Sequence, residues 1–347
     1  MDIHQTLSAL LDGRSLLESE ARDVFEAMFA GQLTQAQIAA TLALVQRRGV
    51  TEDELVGAAS VMRRHVTPVH APTGAIVIDT CGTGGARKTF NVSTAAAVVV
   101  AAASPHRSGG SARVCVAKHG NRSRTGRGSA EILEALGVNV HAPPEVQSRC
   151  LDEVGVCFCF AVNHHPATRH AAPVRKELAF PTMFNLLGPL TNPAGATRQF
   201  MGIYDGTRIE VMARALGRLG SDRAFVLHSD DGLDELAVSA PTRIAVLDQG
   251  NVRVEHIDPT RFGVPRHPIE RVIARDMDEA IRFVREAIDG EPGPRTDAVV
   301  LAAAGALFAA GAVGDWEEGL KRARAALESG AARETLSKLA EISHQPG

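Results

Sequence analysis

Four short stretches carry the residue types from which a site for a phosphorylated substrate could be built. The first is Gly82-Thr83-Gly84-Gly85, which breaks the apolar run from Val77 to Cys81 and precedes Asn91-Val92-Ser93-Thr94. Glycines let backbone N–H groups approach phosphate oxygens, and a helix opening behind a polar cap adds partial positive charge. The spacing is neither that of a Walker loop nor that of a G-x-G-x-x-G dinucleotide turn. Alone, the loop reads equally as an anion cradle and as a tight turn. The second stretch, Lys118-His119-Gly120-Asn121-Arg122, brings two cations, an imidazole and an amide to the end of a short apolar run. Such a strand end suits a polyanion in a sheet crevice, or is simply a solvated basic turn. Ser123-Arg124-Thr125-Gly126-Arg127-Gly128-Ser129 repeats the pairing of cations with glycine. The fourth, Asp234-Glu235, offers adjacent hard-oxygen ligands of the kind that Mg2+ shared with substrate phosphates requires, or an acidic turn.

Other residues narrow the chemistry. Arg175, in Ala172-Pro173-Val174-Arg175-Lys176-Glu177-Leu178, is placed to fork onto a carboxylate, with a surface ion pair as the default. Asn163-His164-His165-Pro166 has no carboxylate at metal-site spacing, so core or pocket-lining histidines are expected there. The stretch from Phe184 to Pro193 mixes helix breakers with apolar residues and reads as a hinge or a channel wall. No Ser-His-Asp or Cys-His arrangement has a local signature. The five cysteines, at 81, 115, 150, 157 and 159, form no metal-ligand spacing, and Cys157 and Cys159 are expected on one side of a buried strand. A reducing cytoplasm suits them.

The elements that must hold these residues fall into two kinds. The first 65 residues read as four short helices, with capping boxes at Thr34-Gln35-Ala36-Gln37 and Thr51-Glu52-Asp53-Glu54. Thr67 to Gly74 is a plausible hinge. Beyond it, apolar runs at 75–80, 114–117, 156–161, 200–204 and 224–228 alternate with helical stretches at 93–103, 129–136 and 207–219. That order implies an α/β domain with a mostly parallel sheet. A hairpin around Gln249-Gly250 and a helical segment from about Met277 follow, and 105–112 reads as a flexible surface insertion. The 347 residues, 45% hydrophobic and 22% charged, suit a soluble protein of about two domains. A net charge of −3 and 4% aromatics argue against nucleic acid or an anionic membrane as partner. The longest apolar run, Ala95 to Ala103, is too short to span a bilayer, and the first residues lack signal-peptide features.

Taken together these stretches resemble the anthranilate phosphoribosyltransferases of the nucleoside phosphorylase/phosphoribosyltransferase superfamily. The likeness rests on Gly82 to Gly85, Asn91 to Thr94, Lys118 to Arg122, His165-Pro166-Ala167, Val174 to Leu178, Asn185 to Pro193 and Gly232-Leu233-Asp234-Glu235, in order over about residues 5 to 340. The resemblance implies a small all-helical dimerisation domain, residues 1–70 and about 165–190. It pairs this with a larger α/β domain, 75–164 and 191–347, whose mostly parallel sheet has flanking helices. It implies a cytoplasmic homodimer that joins phosphoribosyl pyrophosphate (PRPP) to anthranilate with Mg2+, in tryptophan biosynthesis. PRPP positions fall on Gly82, Thr83, Gly84, Gly85, Thr89, Asn91, Ser93, Thr94, Lys118 and Ser129. Anthranilate positions fall on Gly82, His119, Asn121 and Arg175, and metal positions on Ser93, Asp234 and Glu235. Lys118, His119 and Arg175 are the catalytic set. The chain departs from the family where Ala86 replaces an acidic residue, followed by Arg87-Lys88, and where Ala302-Ala303 stands near a common asparagine. Both loops beside the phosphate site look one residue short. Arg87 or Lys88 could supply charge neutralisation otherwise left to Mg2+. The rivals are a same-fold enzyme with another acceptor and a non-catalytic nucleic-acid-binding relative.

Overall fold

The computed structural model describes residues 2–104, 113–123 and 126–347, so the insertion expected at 105–112 and the Arg124-Thr125 pair lie outside it. The chain opens with α1 (Ile3–Leu11), α2 (Glu18–Phe29), α3 (Gln35–Arg48) and α4 (Glu52–Arg64). Both expected capping boxes form: Gln37 N–H donates to Thr34 Oγ1 at 3.2 Å and Glu54 N–H to Thr51 Oγ1 at 3.3 Å. Each N3 side chain returns the bond, at 2.9 Å. The segment expected as a hinge is instead strapped down. Thr67 N–H donates to His164 O, Val69 N–H to Pro193 O and His70 N–H to Ser148 Oγ, and Val69 is buried. A backbone with three such partners is not a free linker.

Strands and helices then alternate as β1 (Ile76–Asp79), α5 (Val92–Ala102), β2 (Val114–Gly120), α6 (Ser129–Ala135), α7 (Pro144–Glu153) and β3 (Val156–Phe160). Short helices α8 (Ala161–His164), α9 (Ala172–Leu178) and α10 (Phe184–Leu187), with 3₁₀ turns at Pro166–His170 and Gly188–Leu190, lead to β4 (Arg198–Gly202). After α11 (Ile209–Arg218) come β5 (Arg223–Ser229), β6 (Thr242–Asp248) and β7 (Asn251–Ile257). The chain ends with α12 (Met277–Ile288), α13 (Pro294–Ala310), α14 (Trp316–Glu328) and α15 (Ala331–Ser343). Among the described residues the strands make one sheet, ordered β3-β2-β1-β4-β5-β6-β7, parallel from β3 to β5 and antiparallel beyond. The hairpin forms at Gln249-Gly250, where both residues take positive φ, 47° and 83°.

The sheet divides the apolar interior in two. Phe200, Phe225, Leu227, Ile244 and Val246 face a core shared with α5 and α12 to α15. Their chain neighbours Met201, Ala224, Val226, Ala245 and Leu247 face the other core, shared with α11, the N-terminal helices and Ala171 to Leu190. This is the period-two alternation of a strand. Cys157 and Cys159 do share a side, with sulfurs 3.6 Å apart. No helix among the described residues is long and apolar enough to cross a membrane.

Candidate active site

The C-terminal ends of β1, β2 and β4 open onto one crevice, and the glycine loop follows directly from β1. Gly82 pairs in parallel with Gly202 at the end of β4. Thr83 N–H donates to Gly202 O, and Tyr204 N–H donates to Thr83 Oγ1 at 3.1 Å. Gly84 and Gly85 take φ of 61° and 101°, a turn that side-chain-bearing residues resist. Lys118, on β2, is buried beneath this loop. Its ammonium donates to Thr80 O and to Ser93 Oγ, both at 3.2 Å, and Ser93 lies in the first turn of α5. Burial lowers the Lys118 pKa, and the carboxylates of Asp79 and Glu235 work against that.

The next residue on the strand points the other way. His119 Nδ1 lies 2.9 Å from Gly188 O, a carbonyl that can only accept, so Nδ1 carries the hydrogen. His119 Nε2 is then a lone pair, and it faces His165 Nε2 at 3.1 Å, which must donate. His165 Nδ1 is left a buried acceptor without a partner. Burial lowers both imidazole pKa values, that of His165 to about 2. Arg175, on α9, stacks its guanidinium 4.8 Å over the Phe184 ring and has no carboxylate partner among the described residues. Burial lowers its pKa as well.

The acidic pair sits opposite the loop. Gly202 is what admits it: a Cβ there would fall 1.6 Å from Asp234 O. Glu235 Oε2 accepts from Thr89 Oγ1 at 2.8 Å, and Asp234 Oδ2 lies near Gly82. Desolvation, together with the Asp234 charge, pushes the Glu235 carboxyl up to about 8, and desolvation raises Asp234 too. Lys88 pulls both back down, which places its charge toward the pair. Two adjacent buried carboxyls raised in this way form a set whose charged state a divalent cation would stabilise.

The chain is similar to known proteins along nearly its whole length. The "Glycosyl transferase family, a/b domain" matches residues 74–333, and the helical bundle domain of the same family matches 4–66. An anthranilate phosphoribosyltransferase from Thioalkalivibrio sulfidiphilus is 45% identical over 341 residues, 98% of either chain. The chain belongs to the anthranilate phosphoribosyltransferase family. The crystal structure of the Thermus thermophilus family member superposes with a TM-score of 0.89 at 37% identity, covering 99% of this chain and all of that one. At the level of fold, the Saccharomyces cerevisiae enzyme, solved in complex with PRPP and Mg, matches with a TM-score of 0.85 at 22% identity, over 98% of this chain and 97% of its own.

In this family member the residues singled out from sequence are not brought together equally. Gly82 to Gly85, Thr89, Ser93, Lys118, Asp234 and Glu235 share the crevice, and His119 opens on its far side. Asn91 takes the cap position of α5 in a left-handed conformation (φ 68°) and makes no side-chain cap bond, contrary to its expected polar cap. It spends its amide on Arg127 O instead. Thr94 Oγ1 is buried without a partner. Ser129 opens α6, with its hydroxyl 2.3 Å from where a Cβ on Gly120 would stand. Asn121 is exposed and turns its side chain back onto Arg122 N–H, so nothing yet joins it to His119. Sequence reasoning missed Asp79 and Asn192, both buried at the centre of the crevice. Their types gave no signal apart from the contacts they make.

Proposed function

We propose that this chain transfers the phosphoribosyl group of PRPP to the amine of anthranilate, giving N-(5-phosphoribosyl)anthranilate and pyrophosphate, as its relatives' name describes. One observation carries the residue assignments: consecutive residues of β2 serve two sides. Lys118 points to the glycine loop and Ser93, while His119 points to Gly188 and His165. A donor and an acceptor can therefore meet at one strand end. Breaking the bond between ribose C1 and pyrophosphate leaves negative charge on the leaving group. Lys118 spends two of its three N–H groups inside the protein and keeps one for that charge, beside the loop amides. Anthranilate is an amine already neutral at pH 7 and needs alignment more than deprotonation. Its carboxylate suits the unpaired Arg175. Its N–H suits the Nε2 lone pair of His119, where it would take the place of the His165 donor.

Asp234, Glu235 and Ser93 offer two carboxyl groups and a hydroxyl, a hard-oxygen set that fits Mg2+. When bound, the ion would neutralise pyrophosphate charge. We further infer a cytoplasmic homodimer formed through a helical domain of residues 1–70 and about 165–190, set against a large domain of 75–164 and 191–347. The packing of Ala171 to Leu190 against the N-terminal helices supports grouping those two segments, and the exposed Leu11 and Leu17 support an apolar contact there. Sedimentation equilibrium should return twice the chain mass; a monomer would end the dimer proposal. For the reaction itself, the test is loss of anthranilate fluorescence with PRPP and Mg2+, beside Asp234→Asn/Glu235→Gln. Transfer by the wild type, nearly abolished in the variant, is expected. Donor binding without anthranilate consumption would transfer the assignment to another acceptor.

A further inference from the structure

We propose that Asp79 and Asn192 are a pair of positioning residues that hold the donor loop and the acceptor wall in register, an inference that rests on the transferase reading above. Asp79 closes β1 and is fully buried. Its Oδ1 accepts from the N–H of Cys81 at 3.0 Å, where the glycine loop begins, and from the N–H of His119 at 3.1 Å. Its Oδ2 accepts from Asn192 Nδ2 at 2.8 Å. Asn192 spends its second hydrogen on Ala117 O at 2.7 Å, and its Oδ1 accepts from Ala194 N–H at 2.9 Å. Every polar atom of the pair is therefore engaged.

These bonds close a circuit. From His119 N–H the path runs to Asp79, across to Asn192, back along the chain to Gly188, and from Gly188 O to His119 Nδ1. The backbone and the ring of His119 are thus fixed by two arms of one network. The same carboxylate fixes the start of the loop beneath which Lys118 lies. A buried carboxylate without an ion-pair partner is costly. An asparagine at 79 could not replace it, because its NH2 would face the NH2 of Asn192. What the carboxylate supplies is a common reference for donor and acceptor, whose misplacement by about 1 Å costs on the order of a hundredfold in rate.

The test follows anthranilate fluorescence with PRPP and Mg2+ on the full chain, in Asp79→Asn, Asn192→Asp and the double exchange. The wild type is the control for the reaction: if it is inactive, the transferase reading fails, whereas the variants address only the pair. The single changes oppose two donors or two acceptors between positions 79 and 192, and the double exchange again faces a donor to an acceptor there with the charge kept. A carboxylate at 192 withdraws the bond to Ala117 O in both the Asn192→Asp single and the double. In protein with wild-type circular dichroism, each single change should lower kcat by about tenfold or more with smaller changes in KM. The double exchange should lose at least about threefold less than the product of the two single losses, as expected for directly coupled partners. Wild-type kcat in the singles, losses that merely track the folded fraction, or a double whose loss equals the product of the singles each overturn the proposal. If neither single variant folds, Asn192→Ser withdraws only the amide: a fall in kcat of about fivefold or more in folded protein supports the pair, and a smaller fall overturns it.

Discussion

His119 and His165 share a single hydrogen bond, and the Gly188 carbonyl leaves only one arrangement of protons that satisfies it. Both rings are neutral in that arrangement, and burial keeps them so. The consequence for pH follows from comparing the two states. An exposed histidine in the unfolded chain takes up a proton near pH 6.5, whereas His165 in the folded protein does so only at about 2. The folded state thus has its full advantage above 6.5 and loses it as pH falls, because the unfolded chain binds a proton that the folded one refuses. For one such group the loss is about 1.4 kcal/mol per pH unit. Below about pH 6.5, stability from urea unfolding should fall less steeply in His165→Gln than in the wild type, by about that amount per pH unit. Parallel slopes would mean that the His165 ring is not held neutral in the folded state.

Among the elements, the two capping boxes look alike in sequence and differ in weight. The Thr34 box lies on the surface and satisfies only the start of α3. The Thr51 box contains Glu54, which is buried, accepts Leu16 N–H at 2.9 Å and meets Arg48 with both oxygens at 2.5 Å. Thr34→Ala should therefore cost about 1 kcal/mol in unfolding free energy. Glu54→Ala, which strands part of a buried ion pair, should cost about 3 kcal/mol or more. Chemical denaturation of both variants checks the ordering, and equal costs would refute it. The boxes were legible because their signal spans four residues, and so were the strand runs and the Gln249-Gly250 turn. The glycine loop, Lys118, His119 and Asp234-Glu235 were legible as types at strand ends. The Asp79–Asn192 bond joins residues 113 positions apart, and the strap on Thr67 to His70 depends on which loops arrive beside it. Local pattern carries neither, and for the same reason Asn91 read as an ordinary cap.

At the scale of the molecule, the sheet separates two cores, and the N-terminal helices reach the strand ends through a few specific bonds. Arg63, near the end of α4, spans that distance. Its Nε donates to Leu190 O at 2.7 Å and its Nη1 to Leu219 O at 2.6 Å, and among the described residues it makes no ion pair. Leu219 caps α11, and Leu190 closes the 3₁₀ turn whose first residue, Gly188, receives the His119 ring. One guanidinium thus satisfies two carbonyls, at the end of the 3₁₀ turn and at the C-cap of α11. Arg63→Met should cost about 3 kcal/mol in stability, since hydrogen bonds from a charged group contribute about 1.5–3 kcal/mol each and the two carbonyls would be stranded together. Its kinetic effect should be lopsided. The Gly188 turn borders the acceptor side, whereas Lys118 and the glycine loop hang from Thr80 and Ser93 on the other. The KM for anthranilate should therefore rise several-fold more than the KM for PRPP. Arg63→Lys, which can keep one of the two bonds, should fall between the wild type and Arg63→Met in both respects. Equal shifts in the two KM values would mean that α4 supports the whole crevice without favouring the acceptor side, and that the path through Leu190 to His119 carries no separate influence.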